Sequence, residues 1–273
     1  MSRYAGDIQP RQALDEELNL SKRDPASFRQ IEHHQAASQA ILDRMPHTAV
    51  RYGNAASQSY IDITPPGYRR GNGIAVFLHG GYWRAFGAKD FIVAGSAFLD
   101  QDKKLISIDY PLVPAAKMTD IVASVNQALQ AIAKAYPDEA VWAVGHSAGA
   151  HLVAACCLQR EKPANGPAPR FERAYMLSGL YDLRPVRRSF LQETLHIGEQ
   201  EAVRCSPLLQ QPQPGIECWV LYGSRETGIF KEQGKSYLEH LARNACKAHH
   251  LEIEGDHFSI MGSDWLQQAQ AVK

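Results

Sequence analysis

The stretch Gly145-His146-Ser147-Ala148-Gly149 decides the fold of this 273-residue chain. It has the pattern G-x-S-x-G, and it lies between a predicted strand at residues 140–144 and a predicted apolar helix at residues 148–158. Two glycines permit a sharp turn with a strained serine backbone, so that Oγ projects above a sheet at a helix N-terminus. We therefore predict that Ser147 is a nucleophile. The alternative is a glycine-rich turn whose serine takes no part in chemistry.

Strands and helices alternate along the rest of the chain. A short, continuous apolar run predicts a strand at Ile74–Leu78, and further strands are predicted at residues 105–108, 174–177, 218–222 and 250–253. Helical spacing predicts helices at Met118–Ala135 and at residues 88–99 and 230–242, with a last helix from Ser263. This repeated strand-helix-strand order predicts an α/β fold with one mostly parallel sheet and helices on both faces.

Two regions depart from the alternation. Residues 1–45 are polar, with helical spacing at 27–42, which predicts an N-terminal helical arm before an α/β domain of residues 46–273. Period-two patterns at residues 49–52 and Ser59–Ile63 begin that domain and predict a β-hairpin. Between residues 182 and 215 the alternation fails, and Pro, Arg and Gln accumulate. We predict that this lid segment covers the strand ends, where open α/β sheets bind ligands.

Composition excludes several classes of function. Apolar residues make up 45% of the chain, and 29 basic residues balance 29 acidic ones, which argues against nucleic-acid binding. No apolar run reaches the roughly 18 residues that span a bilayer, and the first ten residues lack the apolar core of a signal peptide. We therefore expect a soluble, cytoplasmic protein that does not bind membranes.

The cysteine spacing and the known metal-binding motifs give no indication of a disulfide, a metal or a cofactor. The five cysteines include no C-x-x-C pair, so we expect reduced thiols. The sequence also contains no H-E-x-x-H motif and no acidic cluster of the kind that binds metals, so we expect neither a metal nor a cofactor.

A second glycine-rich turn, His79-Gly80-Gly81-Tyr82-Trp83, follows the predicted strand Ile74–Leu78. Backbone N–H groups on such a turn can approach a substrate closely and stabilise the oxyanion of a tetrahedral intermediate. We expect the N–H groups of Gly81, Tyr82 and Ala148 to form this oxyanion hole. His79 is expected to support the turn through hydrogen bonds.

A serine nucleophile needs a base and a carboxylate that orients it. His257 lies in a loop after the last predicted strand, and it is the predicted base. Glu226 follows the strand at 218–222 and is the predicted acid, which gives the chain order serine, acid, histidine. Asp256 and Asp182 are the alternatives for the acid, and His151 is expected to be a packing or surface residue.

These motifs resemble the kynurenine formamidase (arylformamidase) branch of the α/β-hydrolase superfamily. The similarity is carried by the turn at residues 79–83, by the turn at residues 145–151 and by Ser178-Gly179-Leu180-Tyr181-Asp182-Leu183. The resemblance implies the α/β-hydrolase fold. Members of this branch usually carry an aspartate as the acid, so Glu226 is a departure from the family pattern.

The resemblance also implies a reaction, the hydrolysis of N-formyl-L-kynurenine to formate and L-kynurenine through a formyl-serine, in tryptophan breakdown. The substrate would be a small aromatic N-formyl amide, and the expected lining of its pocket is Tyr82, Trp83, Phe86 and Tyr110. A carboxylesterase or another amidase with the same triad is the first alternative, and a non-catalytic binding protein is the second. The sequence leaves the oligomeric state open, a homodimer included.

Overall fold

An eight-stranded sheet forms the centre of the molecule in the computed structural model, which describes residues 10–23, 27–158, 167–262 and 264–272. The strand order is β1-β2-β4-β3-β5-β6-β7-β8. Strands β1/β2 and β2/β4 pair antiparallel, and all other neighbours pair parallel. In chain order the strands are His47–Arg51, Ser59–Ile63, Ile74–Leu78, Lys104–Ile108, Ala140–His146, Arg170–Leu177, Glu217–Gly223 and Ala248–Ile253.

Helices cover both faces of the sheet, so the predicted mostly parallel α/β architecture is confirmed. The α-helices α1 to α10 are Arg11–Leu18, Leu20–Arg23, Ser27–Arg44, Met118–Ala135, Ala148–Cys156, Leu183–Arg187, Gln192–Leu195, Glu199–Arg204, Gly228–Arg243 and Trp265–Ala271. Three 3₁₀ helices span Ile92–Gln101, Pro207–Leu209 and Ser259–Gly262. The predicted hairpin is formed by β1 and β2.

Strand β3 shows why a central strand of this sheet is apolar at every position. Ile74, Val76 and Leu78 pack into the core that includes α4, α5 and α9. Ala75 and Phe77 point the other way and pack into the core beneath α3, α10 and the first 3₁₀ helix. Successive side chains of a strand point to opposite faces, and here both faces are covered, so no position in β3 is polar.

One helix differs from its prediction. The segment predicted as a helix at residues 88–99 is a 3₁₀ helix that begins only at Ile92. A turn delays the start, because the N–H of Gly87 donates a hydrogen bond to the Asp90 carboxylate at 2.7 Å. The predicted start of the last helix, Ser263, and residues 1–9 of the predicted arm lie outside the described residues.

The N-terminal arm passes from one face of the sheet to the other. Leu14 and Leu18 of α1 are fully buried in the core on the α9 side. Ile41 and Leu42 of α3 pack into the opposite core. The described parts of the arm therefore contribute side chains to the cores on both faces of the sheet. In the described part of the chain, no helix combines the length and hydropathy needed to cross a bilayer.

Candidate active site

Ser147 occupies the tight turn between β5 and α5. Its φ of 55° lies in the left-handed region, which strains any residue other than glycine. Its N–H donates to the carbonyl of Leu177 at 2.8 Å, which anchors the turn to the neighbouring strand β6. The turn also needs Gly149, since a Cβ there would lie 1.8 Å from the carbonyl oxygen of Leu78. The hydrogen bond to Leu177 and the close approach of Gly149 to Leu78 hold the serine above the carboxyl end of the sheet.

Glu226 and His257 form a buried pair at the carboxyl ends of β7 and β8. His257 Nδ1 lies 2.8 Å from Glu226 Oε2, and Glu226 Oε1 accepts a hydrogen bond from the N–H of Thr227 at 2.9 Å. Burial acts to raise the pKa of Glu226, but the His257 charge and the hydrogen bonds from His257 and Thr227 outweigh it, so its pKa lies below the usual value. The glutamate is thus held as a carboxylate that fixes the imidazole.

The two alternative acids are bonded elsewhere. Asp182 caps α6 by accepting from the N–H of Arg184 at 3.0 Å, and it forms an ion pair with the guanidinium of the same residue. Asp256 accepts from the N–H groups of Phe258 and Ser259 at 3.1 and 3.0 Å. Each therefore stabilises a local turn, and the structure brings only Glu226, of the three, into a hydrogen bond with His257.

Ser147 and His257 border the same cavity, which has a volume of about 220 Å³. Because Nδ1 of His257 is bonded to Glu226, Nε2 is the ring nitrogen left for the serine. Apolar and aromatic side chains predominate in the wall. The full lining is Leu18, Asn19, Leu20, Ser21, Phe28, Ile31, Gly80, Gly81, Tyr82, Arg84, Ala85, Phe86, Phe91, His146, Ser147, Phe190, His257, Phe258 and Met261.

The loop after β3 borders this cavity with the backbone of Gly81 and Tyr82. Both have positive φ, 109° and 49°, and a Cβ on Gly81 would lie 2.3 Å from the carbonyl oxygen of Ala85. Within the described residues, the N–H groups of Gly81, Tyr82 and Ala148 have no hydrogen-bond acceptor. All three are therefore free to donate to a ligand.

Of the four aromatic residues expected in the pocket, two border the cavity and two do not. Tyr82 and Phe86 are part of its wall. Trp83 and Tyr110 are fully buried behind the loop. The Tyr110 hydroxyl donates to the carbonyl of His79 at 2.7 Å, and the two rings stack. Trp83 and Tyr110 thus support the loop from below, and this corrects their predicted place in the wall.

Two histidines that the sequence patterns do not indicate are hydrogen-bonded to the loop of His257. His146 Nε2 lies 2.7 Å from the carbonyl oxygen of His257, and His34 Nε2 lies 3.0 Å from that of Phe258. Burial, reinforced by the nearby His257 charge, places the pKa of His146 well below its usual value, so this ring is neutral and donates from Nε2. His146 occupies a variable position of the G-x-S-x-G motif, which carries no signal of this contact.

His151 is a third histidine with a defined role in the architecture. The indole N–H of Trp83 can only donate, so His151 Nδ1 accepts from it at 3.2 Å, and Nε2 donates to the carbonyl of Cys205 at 2.7 Å. Burial lowers the pKa of His151 to about 4. The neutral ring therefore ties α5 to both the loop after β3 and the lid segment.

The N-terminal arm forms hydrogen bonds with three segments around the cavity. The Tyr82 hydroxyl donates to the carbonyl of Leu18 at 2.8 Å. Glu17 accepts from the N–H of Ile229, in the first turn of α9, at 3.1 Å. Asp15 accepts from the N–H of Phe190 in the lid segment at 2.6 Å. The arm is thus part of the cavity wall, which the polar composition of residues 1–45 does not suggest.

Groups suited to metal binding are not found near the cavity. Across the described ranges, no group of three or more His, Cys, Asp or Glu side chains is placed to hold a metal ion. All five cysteines are free thiols, and Cys157, Cys205, Cys218 and Cys246 are buried.

The chain is similar to several known proteins. The family model described as BD-FAE matches residues 61–175. Kynurenine formamidase of Danio rerio is 24% identical over 237 residues, covering 84% of this chain and 78% of the relative. Kynurenine formamidase of Salmo salar is 26% identical over 196 residues, covering 69% and 66%.

Solved structures show the same fold. A candidate thioesterase from Silicibacter sp. tm1040 superposes with a TM-score of 0.79 at 24% identity, covering 97% of this chain and 100% of the other. Esterase LipW from Mycobacterium marinum gives a TM-score of 0.69 at 13% identity, covering 90% and 85%. With the curated relatives and the family model, these matches lead to one conclusion: the chain is a hydrolase of the α/β-hydrolase fold that is similar to kynurenine formamidases.

Proposed function

We propose that this protein is a serine hydrolase that cleaves N-formyl arylamines, with N-formyl-L-kynurenine as the preferred substrate. The observation that carries the proposal is the shared cavity of Ser147 and His257, with the buried carboxylate of Glu226 bonded to the far nitrogen of the imidazole. The kynurenine formamidases of Danio rerio and Salmo salar supply the substrate class.

In the proposed acylation step, Ser147 Oγ attacks the formyl carbon while His257 Nε2 takes the hydroxyl proton. The N–H groups of Gly81, Tyr82 and Ala148 donate to the oxyanion that forms. The imidazolium, stabilised by Glu226, then gives its proton to the aryl nitrogen as the C–N bond breaks. The arylamine leaves, and the formyl group stays on the serine.

In the proposed deacylation step, His257 takes a proton from water, and the resulting hydroxide attacks the formyl-serine carbon. Collapse of the second tetrahedral intermediate returns a proton from the imidazolium to Ser147 Oγ. Formic acid leaves and ionises to formate, so that one water is consumed for each amide hydrolysed. The Glu226 carboxylate keeps the imidazole in the tautomer with a free Nε2 in both steps.

A carboxylesterase is the second candidate, and the apolar wall around Phe86, Phe91 and Met261 favours it, because an alkyl acyl group could also lie there. The deciding experiment compares kcat/KM for N-formyl-L-kynurenine with kcat/KM for p-nitrophenyl acetate, butyrate and hexanoate. We expect the formamide to be turned over, and acetate to exceed butyrate by roughly ten- to two-hundred-fold. Efficient hydrolysis of butyrate and hexanoate without hydrolysis of the formamide would favour the esterase.

A further inference from the structure

The cavity wall carries one permanent positive charge and no carboxylate. Among the described residues that border the cavity, Arg84 is the only lysine or arginine, and none is aspartate or glutamate. Apolar residues form most of the rest of the wall. A guanidinium at a mostly apolar cavity attracts a ligand that combines an apolar body with an anionic group.

The guanidinium of Arg84 has N–H donors that are not used in hydrogen bonds within the described residues. Its Nη1 donates to the hydroxyl of Thr194 at 3.1 Å, and its central carbon lies 5.9 Å from the ring centre of Phe190. An arginine has five N–H donors, and across the described ranges Arg84 forms no ion pair with a carboxylate. Two other arginines of the chain differ, since Arg11 pairs with Glu193 and Arg184 pairs with Asp182.

The position of Arg84 in the loop indicates which part of the substrate it meets. Its own N–H donates to the carbonyl of Gly81 at 3.0 Å, so the guanidinium and the free N–H groups of the oxyanion loop lie on one short turn. The Arg84 side chain is exposed at the mouth of the cavity, whereas Ser147 is 3% exposed. A formyl or acetyl group carries no carboxylate, so an acid that meets Arg84 belongs to the leaving group.

We propose that Arg84 binds a carboxylate on the leaving group, so that this enzyme selects aryl formamides and aryl esters whose aromatic part carries an acid. The inference rests on the proposed function for the reacting groups and adds the residue that selects the leaving group. Phe190 holds the guanidinium from one side and Thr194 from another, which limits its rotation and leaves the remaining N–H groups for a bidentate contact.

The test uses two aryl acetates of nearly the same shape, meta-acetoxybenzoate, which is charged, and meta-acetoxybenzamide, which is neutral. In Arg84→Gln, kcat/KM for the benzoate is expected to fall about ten- to hundred-fold, the range for a hydrogen bond to a charged group. The loss should lie in KM, because the carboxylate is remote from the reacting carbon and is bound equally in ground and transition states. The benzamide should change less than about twofold.

Lys89→Gln is the matched control, because Lys89 is an exposed cation on the same loop that does not border the cavity. It removes the same charge from the protein and should leave the ratio of kcat/KM for the benzoate to kcat/KM for the benzamide unchanged. Equal losses for benzoate and benzamide in Arg84→Gln would assign Arg84 to loop structure and overturn the proposal. An unchanged ratio in Arg84→Gln, or an equal shift in Lys89→Gln, would overturn it as well.

The same pair of measurements on N-formyl-L-kynurenine and its methyl ester separates this inference from the proposed function. If neither formamide is hydrolysed but the acetates depend on Arg84 as expected, the formamidase reaction is wrong and carboxylate selection stands. If both formamides are hydrolysed at rates that Arg84→Gln does not distinguish, the formamidase reaction stands and carboxylate selection is wrong.

Discussion

The N-terminal arm and the lid segment both lie against the cavity, but they contribute to it very differently. The arm supplies Leu18, Asn19, Leu20, Ser21, Phe28 and Ile31, whereas the lid segment supplies Phe190 alone. The lid segment instead forms hydrogen bonds with residues outside the wall. The carbonyl of Cys205 accepts from His151 Nε2, and the N–H of Phe190 donates to the Asp15 carboxylate. The lid segment, which the sequence predicts to cover the strand ends, thus contributes fewer residues to the cavity wall than the polar N-terminal arm, which lies far from the motifs in sequence.

The largest expected effect tests whether the nucleophile is Ser147, at the end of β5, and not a residue of the N-terminal arm or the lid segment. Ser147→Ala should lower kcat by about a million-fold, because members of a catalytic triad act as a unit. The thermal midpoint should hardly change, and labelling by a fluorophosphonate should disappear. A folded, uncontaminated variant that retains more than a few per cent of the rate would show that Ser147 is not the nucleophile.

The next effect distinguishes the proposed catalytic acid Glu226 from Asp182 and Asp256, whose carboxylates bind groups of the lid segment and the arm. Glu226→Gln should lower kcat about ten-thousand-fold, as expected when the orienting carboxylate is lost and the imidazole takes the wrong tautomer. Asp182→Asn weakens a helix cap in the lid segment, and Asp256→Asn weakens a bond to Gln30 of the arm, so both should act mildly. A crippling Asp182 or Asp256 variant beside a nearly silent Glu226→Gln would move the acid elsewhere.

A matched pair of leucines compares the two covering regions directly. Leu18 of the arm and Leu191 of the lid segment are both fully buried, but only Leu18 borders the cavity. Each Leu→Ala change should reduce the free energy of unfolding by about 2–5 kcal/mol. Only Leu18→Ala should also raise the kcat/KM ratio of p-nitrophenyl hexanoate to acetate, by roughly tenfold. Equal ratios in the two variants would mean that the arm does not control substrate size.

The smallest effect concerns His151, which links the loop after β3 to the lid segment. Its folded pKa, about 4, lies below the ordinary value of 6.5, so its neutral form stabilises the fold fully above pH 6.5. As the pH falls from 6.5 to about 4, the unfolded state binds the proton first, and about 3 kcal/mol of stability is lost.

Denaturant unfolding of the wild type and His151→Gln across this pH range measures that loss. The variant should be less stable at pH 8 by the cost of altered packing, and it should lose less stability than the wild type on acidification. His34 and His146 also have lowered pKa values, so part of the slope should persist in the variant. Parallel curves for the two proteins would contradict the burial of a neutral His151.

Much of this fold can be predicted from the sequence because its strongest signals are local. The continuous apolar run of Ile74–Leu78 indicates a strand covered on both faces, and that is where β3 lies. The glycines flanking Ser147 indicate a turn of close backbone approach, since Gly149 has no space for a side chain. The order of Ser147, Glu226 and His257 can likewise be predicted from sequence, because each residue lies in a turn or loop that follows a predicted strand.

Only the tertiary structure decided which segments meet at the cavity. The aromatic residues of one loop look alike in sequence, yet Tyr82 and Phe86 face the cavity while Trp83 faces His151. Nothing in the composition of the arm indicates that Leu18 would close the site. The physical reason is that periodicity reports whether a residue is buried, whereas the distant segment against which it is buried depends on packing between parts of the chain far apart in sequence.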